Sequence, residues 1–294
     1  MGMFDFLKKP KEDDVTAEIR ELQKCRVEAP VTVESIRDEI MSKTAVPCMR
    51  ITLTDEKPSL FDSKAGGIGY VPRSAEIPAD SKGNPLQLLA QIDCSQVTIP
   101  DFPHEGLLQF WILNDDLHGM NFDAPTKQDT FRVIYHPEID RTVTEAEVQT
   151  KIRSTLPEDE CYFPVTGCWK IKFEEQQDLL SASYCSFETR IKELVQKYYP
   201  EQAADLLHDP YDLIDEEADN GFGHKMGGYP GFTQYDPRDE ADPHDVLLFQ
   251  LDSDYDGSCE KVMWGDSGIG NFFINREKLR RCDFSDVLYN WDCC

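Results

Sequence analysis

Two stretches of sequence decide how this chain of 294 residues folds, Leu88-Leu89-Ala90-Gln91-Ile92-Asp93 and Leu247-Leu248-Phe249-Gln250-Leu251-Asp252. Each follows a Gly-Gly pair and precedes an aromatic run, and the three blocks recur in one order at nearly one offset. The flanking blocks are Gly66-Gly67 and Gln109-Phe110-Trp111-Ile112 in the first copy, and Gly227-Gly228 and Asn271-Phe272-Phe273-Ile274 in the second. Each central stretch is apolar on both faces until its polar end, which predicts a strand covered on both sides. One copy has too few strands for that, so we expect two related halves that fold together.

Elsewhere, short runs with strand spacing are mixed with runs that have helical spacing. The strand candidates are Met49–Thr54, Leu86–Ile92, Leu107–Leu113, Phe131–Tyr135, Trp169–Phe173, Val246–Leu251 and Asn271–Ile274. The helix candidates are Val15–Arg26, Val33–Ser42, Thr144–Ile152, Phe187–Tyr198 and Gln202–Leu207. Strands and helices without strict alternation predict an α+β fold. We expect a single domain over residues 1–294, built from two β-rich pseudo-repeats (45–150 and 151–294) with flanking helices and an N-terminal helical segment (1–44).

The charge balance excludes some partners and favours others. The chain has 56 Asp and Glu against 30 Lys and Arg, a net charge of −26. It has no basic stripe to displace counterions from phosphates, so we expect no nucleic-acid partner. It also lacks the ~20-residue apolar run of a membrane span, so we expect no membrane partner. The acidic field attracts basic proteins or metal cations, and a basic protein is the partner we expect. The alternative is a charge that serves solubility alone.

The ten cysteines are irregularly spaced and include no Cys-x-x-Cys pair. A chain of this length and core content does not need a disulfide scaffold, and zinc-ribbon or thioredoxin-type sites are excluded. The N-terminal residues lack the apolar region of a secretory signal. We therefore expect reduced thiols in a cytoplasmic protein.

Three segments of the C-terminal third carry a family resemblance: His224–Pro230, Leu247–Asp254 and Met263–Ile274. The earlier Leu89–Ile92 and Leu108–Trp111 fit it as well, as does the Tyr289–Cys294 end. With these blocks, residues 45–294 resemble the YwqG-like family of uncharacterised bacterial proteins. The resemblance implies a cytosolic, single-domain α+β protein. It implies no catalytic residue, because the family has no assigned activity.

An acidic run in the second copy has the pattern of a cation-binding loop. Asp252-Ser253-Asp254-Tyr255-Asp256-Gly257 matches the opening of a calcium loop, in which alternate carboxylates surround a hard cation. Met263 stands where an EF-hand needs a bidentate Glu, so an EF-hand is excluded. Asp252, Asp254 and Asp256 therefore form a candidate calcium site of another kind. The alternative is an acidic turn that leaves a strand.

The loops of the second copy are the predicted binding surface, because glycines there allow close backbone approach and loops carry most binding groups. The predicted binding residues are His224, Gly227, Gly228, Tyr229, Gln234, Trp264, Asp266 and Asn271. His224 would form a polar cluster with Asp266 and Asn271 if the loops converge, and the alternative is a structural histidine at a turn. We expect Trp264 to be partly exposed, and Gln91 and Gln250 to hydrogen-bond to loop backbone.

No set of catalytic residues stands out. Phosphate loops, dinucleotide fingerprints and nucleophile elbows are absent, and Gly265-Asp266-Ser267-Gly268 resembles a protease nucleophile segment without any accompanying histidine motif. We therefore expect a non-enzymatic binding protein, either of the immunity or inhibitor type acting on a basic protein, or with a ligand in a groove between the halves. The alternative is a metal-dependent enzyme, for example a hydrolase, that uses Asp252, Asp254, Asp256 and Asp266.

Overall fold

The computed structural model describes residues 32–152, 162–214, 221–255, 257 and 259–294. The chain divides into two compact units, Met1–Glu39 and Ile40–Cys294. Of the first unit, residues 32–39 are described, and they contain the start of helix α1 (Val33–Ser42), which confirms the predicted bounds. The helix predicted over Val15–Arg26 lies outside the described residues.

The second unit is built mainly from strands. Its strands are β1 (Val46–Thr54), β2 (Lys64–Gly66), β3 (Leu86–Asp93), β4 (Leu107–Leu113), β5 (Phe131–His136), β6 (Cys168–Asp178), β7 (Lys225–Gly227), β8 (Val246–Asp252), β9 (Asp254–Tyr255), β10 (Glu260–Val262), β11 (Ile269–Ile274) and β12 (Val287–Asp292). Its helices are α2 (Glu145–Gln149), α3 (Phe187–Tyr198), α4 (Ala203–Leu206) and α5 (Arg276–Arg280), with 3₁₀ turns at Cys94–Gln96 and Pro210–Leu213. None of the described helices is both long enough and apolar enough to cross a bilayer.

Ten strands form one antiparallel sheet in the order β12-β11-β8-β7-β1-β6-β2-β3-β4-β5, and β9 and β10 form a separate hairpin. The sheet curls until its two edges approach each other. The rings of Phe131 on β5 and Tyr289 on β12 lie 5.3 Å apart, and the Tyr289 amide donates to the Pro125 carbonyl at 3.0 Å. Closure of a sheet leaves its inner face to be filled by side chains. The stacked rings of Phe110 and Phe249, 4.6 Å apart, lie in that core.

The predicted α+β class is wrong, because the chain forms a mostly β, nearly closed, barrel-like sheet with only 17% helix. Most of the predicted strands are present, so the error lies in how the elements combine. Two of the predicted helices shrink to the short α2 and α4. The Gly-Gly pairs, interpreted as turns alone, end two further strands, β2 and β7. These three-residue strands connect the central strands β3 and β8 to β6 and β1, which pair with each other in the middle of the sheet.

The internal repeat is confirmed in the pairing of the strands. Gln91 on β3 pairs with Lys64 on β2, and Gln250 on β8 pairs with Lys225 on β7. The register between β3 and β4 shifts at Leu89, and the register between β8 and β11 shifts at the corresponding Leu248. Two copies that share a partner and a bulge have the same local structure.

The two halves exchange one strand each. The strand β1 lies in the N-terminal part of the chain, before the Gly66-Gly67 pair, yet it pairs with β7 of the second copy. The strand β6 pairs with β2 of the first copy, and β1 and β6 pair with each other along their length. We call β6-β2-β3-β4-β5 the first half and β1-β7-β8-β11-β12 the second half. Each half in space thus combines strands from both sides of residue 150. The boundaries 45–150 and 151–294 stay a prediction.

Candidate functional site

The strand glutamines fasten loop backbone to the sheet in both halves. Gln91 accepts from the Tyr70 amide at 2.8 Å and donates to the carbonyls of Leu60 and Asp62 at 2.8 and 3.0 Å. In the second half the corresponding three bonds join Gln250 to Gly231, Gly221 and Gly223, at 2.9, 2.7 and 2.7 Å. Both side chains are fully buried. The prediction that these amides bind loop backbone is confirmed.

His224 has a counterpart in the first half, Ser63. The backbone amide of Asp252 donates to Nδ1 of His224 at 3.0 Å, and the backbone amide of Asp93 donates to the Ser63 hydroxyl at 2.8 Å. The shared bond fixes the end of the central strand in each half. Because Nδ1 of His224 accepts, the neutral ring carries its proton on Nε2, which faces the Asp254 carboxylate at 3.4 Å. The contacts of His224 are therefore those of a structural histidine at a turn.

Two of the three predicted calcium ligands lie beside His224, and the third, Asp256, lies outside the described residues. The carboxylate of Asp252 accepts from the Gly223 amide at 2.7 Å, and burial raises its pKa. The carboxylate of Asp254 lies 3.8 Å from the Lys261 ammonium. Within the described ranges, no three His, Cys, Asp or Glu side chains are arranged to hold a metal ion. The calcium site stays a prediction.

The expectation that Trp264 is partly exposed is wrong, because its side chain is 0% exposed. Gly270 on β11 makes room for the indole, since a Cβ there would lie 2.4 Å from Cζ2 of Trp264. The His118 ring meets the indole edge-on, with the centroids 5.4 Å apart. Trp264 therefore belongs to the core, and Asp266, two residues further, is exposed. The described contacts do not join His224 to Asp266 or Asn271.

The Gly227-Gly228 turn lies against a buried ion pair. The Lys225 ammonium donates to the Asp178 carboxylate at 2.8 Å, and both side chains are buried. The same oxygen accepts from the Tyr229 amide at 2.9 Å. Gly228 has φ +71°, and a Cβ on it would lie 2.3 Å from that carboxylate. The phenol of Tyr229 donates to the Thr44 carbonyl, and burial raises its pKa to about 12. Gly227, Gly228 and Tyr229 thus serve packing in this half.

The corresponding lysine of the first half is bound differently. Lys64 is buried, and its ammonium donates to the backbone carbonyls of Ser59, Leu60 and Ile68 at 2.6, 3.2 and 3.0 Å. Burial lowers the pKa of Lys64. This clamp holds the Gly67-Ile68-Gly69 turn, which forms one wall of a cavity.

The cavity has a volume of about 560 Å³ and lies on the outer face of the first half, above Trp111. We call it the Trp111 cavity. Its apolar lining includes Ile68, Ile77, Leu88, Trp111, Val148 and Ile152. Its amide side chains are Asn84, Gln87, Asn114 and Gln149. A few hundred cubic ångströms lined by apolar groups and a few amides is typical of a small-molecule site.

In the second half, the place that corresponds to the Trp111 cavity is filled. Leu88 pairs with Trp111, and in the second half Leu247 pairs with Phe273. The guanidinium of Arg238 lies 3.8 Å above the centre of the Phe273 ring. Asp236 holds it through two hydrogen bonds of 2.9 and 2.7 Å. The cavity is therefore specific to the first half rather than a consequence of the repeated fold.

The predicted binding residues lie in the second half, and none of them lines the Trp111 cavity. Two of them lie at the loop above β11 and β12. The Gln234 backbone amide donates to the Asp292 carboxylate, and the Asn271 side chain donates to the Gly231 carbonyl. The sequence carries one signal for the cavity. The first copy has a strand tryptophan where the second has Phe273. The arginine of the loop before β3, Arg73, binds Glu147 and Asp140 and does not line the cavity.

Comparison with known proteins gives one family. The model of a domain of unknown function, DUF1963, matches residues 63–293. No curated protein matches the chain. An uncharacterised family was expected, and the match agrees with that, while the YwqG-like assignment stays a prediction.

Proposed function

We propose, on the premise that the chain belongs to the DUF1963 family, that this protein binds a small neutral ligand in the Trp111 cavity without transforming it. The observation that carries the proposal is the contrast between the halves. A repeated fold covers its outer sheet face with Arg238 in one half and leaves about 560 Å³ above Trp111 in the other.

The lining determines the class of ligand. Of the described residues around the cavity, Asp115 alone has an ionisable side chain. Its carboxylate already accepts from the amides of Gly119 and Leu117, at 2.7 and 3.3 Å. An anionic ligand would lose hydration without gaining an ion pair, and a cation would have only the Asp115 carboxylate, which two backbone amides already hold. A flat, mostly apolar molecule with one amide or carbonyl group fits the walls and the amides of Gln87 and Gln149.

The same lining favours binding over catalysis. A reaction needs a nucleophile, a base or an electrophile near the bound substrate. Asp115 is engaged by backbone amides, and the other described lining groups are amides, aliphatic chains and an indole. The metal-dependent enzyme remains an alternative proposal, tied to the region of Asp252, Asp254, Asp256 and Asp266.

The test uses neutral and charged aromatic probes of similar size: indole and benzamide against benzoate and benzylammonium. We expect the neutral probes to raise the melting temperature and the charged probes to leave it unchanged. Ile77→Trp should fill the cavity and abolish the effect. Ile139→Trp is the matched control, because Ile139 packs in the same outer cluster without lining the cavity. Binding that survives Ile77→Trp, or no binding by any probe, would contradict the proposal.

A basic protein is the second candidate partner, and the net charge of −26 favours it. Such a complex would associate quickly at low ionic strength and weaken with salt. Polylysine and a neutral polymer of similar length serve as probes. If the protein bound both polymers equally, the net charge would not select a basic partner and would serve solubility alone.

We also propose that the protein resides in the cytoplasm. The support is chemical: the eight described cysteines are all free thiols. Oxidising compartments favour disulfides, whereas the cytosol keeps thiols reduced. Fractionation of the cells that make the protein is the direct measurement.

A further inference from the structure

Three buried oxygen atoms in the second half have no hydrogen-bond partner within the described part of the chain. They are Oδ1 of Asn271, Oδ1 of Asp292 and Oγ1 of Thr233. An unpaired buried acceptor costs about 1–3 kcal/mol, and native structures contain few of them. Three in one region therefore call for a common explanation.

The sheet register places two of the three side chains, Asn271 and Asp292, on one face of neighbouring strands. Asn271 on β11 pairs with Asn290 on β12, and Asp292 is two residues further along β12, on the same face. The loop above is anchored at both points. Asn271 donates to the Gly231 carbonyl at 2.9 Å, and the Gln234 amide donates to the other carboxylate oxygen of Asp292 at 2.8 Å. Thr233 lies in the chain between these two anchors.

At the corresponding position of the first half, the side chains satisfy one another by direct contacts. Gln109 corresponds to Asn271, and His136 corresponds to Asp292. Nε2 of His136 lies 3.1 Å from Oε1 of Gln109, and the Trp111 indole donates to the same oxygen at 3.0 Å. The second half replaces the longer amide by a shorter one and the imidazole by a carboxylate. The second half therefore has a carboxylate acceptor where the first half has the imidazole that contacts the amide, and both Oδ1 atoms are left without a partner among the described residues.

We propose that a monovalent alkali cation, Na⁺ or K⁺, binds between Asn271, Asp292 and Thr233. Amide, carboxylate and hydroxyl oxygens are ligands for hard cations. The three side chains carry one negative charge, and no ion pair of Asp292 exists among the described residues. A water molecule would supply hydrogen bonds but no charge, whereas a cation would also attract the Asp292 carboxylate. The site uses Asn271, which the sequence predicted as a binding residue, and is independent of the Trp111 cavity.

The test compares the stability of the full chain in NaCl, in KCl and in choline chloride at one ionic strength. A cation that binds only the folded state lowers the unfolding equilibrium constant, about tenfold at ten times its dissociation constant. We expect such a decrease in NaCl or KCl and none in choline chloride. Equal stability in the three salts would mean that water alone fills the site, and would overturn the proposal.

A double variant provides the matched control. Asn271→Gln with Asp292→His installs the side chains that close the first half, so it is designed to fold without a cation. We expect its stability to be the same in all three salts. A sodium or potassium effect that persists in this variant would place the cation elsewhere and overturn the proposal. Asp292→Asn should also lose the effect, and the double variant keeps the test decisive if that single variant fails to fold.

Discussion

Replacing Gln250 by leucine tests the hydrogen bonds that fix the second-half loop to the sheet. Leucine is close in size but offers no polar atom. It leaves the Gly231 amide and the carbonyls of Gly221 and Gly223 without their partner. The side chain is fully buried, so water cannot reach its place without rearrangement.

The expected loss follows from those three bonds. Two of the orphaned groups, the Gly231 amide and the Gly221 carbonyl, are buried, and each costs about 2 kcal/mol. The Gly223 carbonyl is partly buried and can recruit water. The leucine side chain returns about 1 kcal/mol by its burial. The net loss is about 3 kcal/mol, which corresponds to a fall in melting temperature of about 5 °C for a chain of this length.

The assay is urea unfolding, with Gln177→Leu as the control, because Gln177 is an exposed glutamine on β6. Gln91→Leu gives a second comparison. Gln91 makes the three corresponding bonds and also accepts from Gln109 at 2.8 Å, so its loss should exceed that of Gln250→Leu. If Gln250→Leu were no less stable than Gln177→Leu, the loop would not depend on the glutamine, and the reasoning would fail.

Three further substitutions test the remaining polar contacts. Lys64→Met removes a buried ammonium whose pKa is lowered by burial. Between that lowered pKa and about 10.5, the unfolded wild-type chain binds more protons than the folded one. The stability of the wild type relative to the variant, measured by urea unfolding, should therefore rise with pH in that range. Glu147→Gln removes a carboxylate whose pKa is lowered to about 2, mainly by its hydrogen bond from Arg73. The carboxylate stabilises the folded state fully above about pH 4.5, and this stabilisation is lost as the pH falls to about 2. The variant should therefore show a smaller acid-induced drop in melting temperature than the wild type. His224→Ser supplies the hydroxyl that Ser63 uses, so its melting temperature should stay above that of His224→Val, and equal values would show that the bond to the Asp252 amide is unimportant.

The sequence predicts the local elements well where a long periodic run exists. The bounds of β4 and α3 are those of the short apolar run and the helical stripe, Leu107–Leu113 and Phe187–Tyr198. It does not predict β2 and β7, because three residues that end in a glycine have no periodicity. Gly66 and Gly227, at φ +67° and +68°, suit a turn as well as the end of a strand. The fold class depends on those two strands, which is why it was wrong.

The candidate site was harder to predict for a different reason. The Trp111 cavity combines residues of β3, β4 and α2 with loop residues, and those of its residues that belong to the repeat, Gly67, Leu88 and Trp111, have the same pattern as a second half without a cavity. The sequence motifs predict a site in the second half, where glycines and acidic residues cluster. There the structure uses Gly228 to admit Asp178, and Gly270 to admit Trp264. A glycine required by close packing has the same appearance in a sequence as a glycine required by a ligand.

The duplication supplies an internal reference that a single sequence ordinarily lacks. Ser63 and His224 make the same hydrogen bond in the two copies, so each of them serves the fold, even though histidine is often a functional residue. Where one copy completes its contacts and the other does not, the fold alone does not account for the difference. That criterion selects the space above Trp111, which Arg238 fills in the other half. It also selects Asn271 with Asp292, because the corresponding pair of the first half is closed by a direct contact. The two selected places lie in different halves and have different chemistry, one apolar and neutral, the other polar and anionic. Among the described residues, each half therefore has a difference from the other that the repeated fold does not explain, and these two differences are the places where we propose binding.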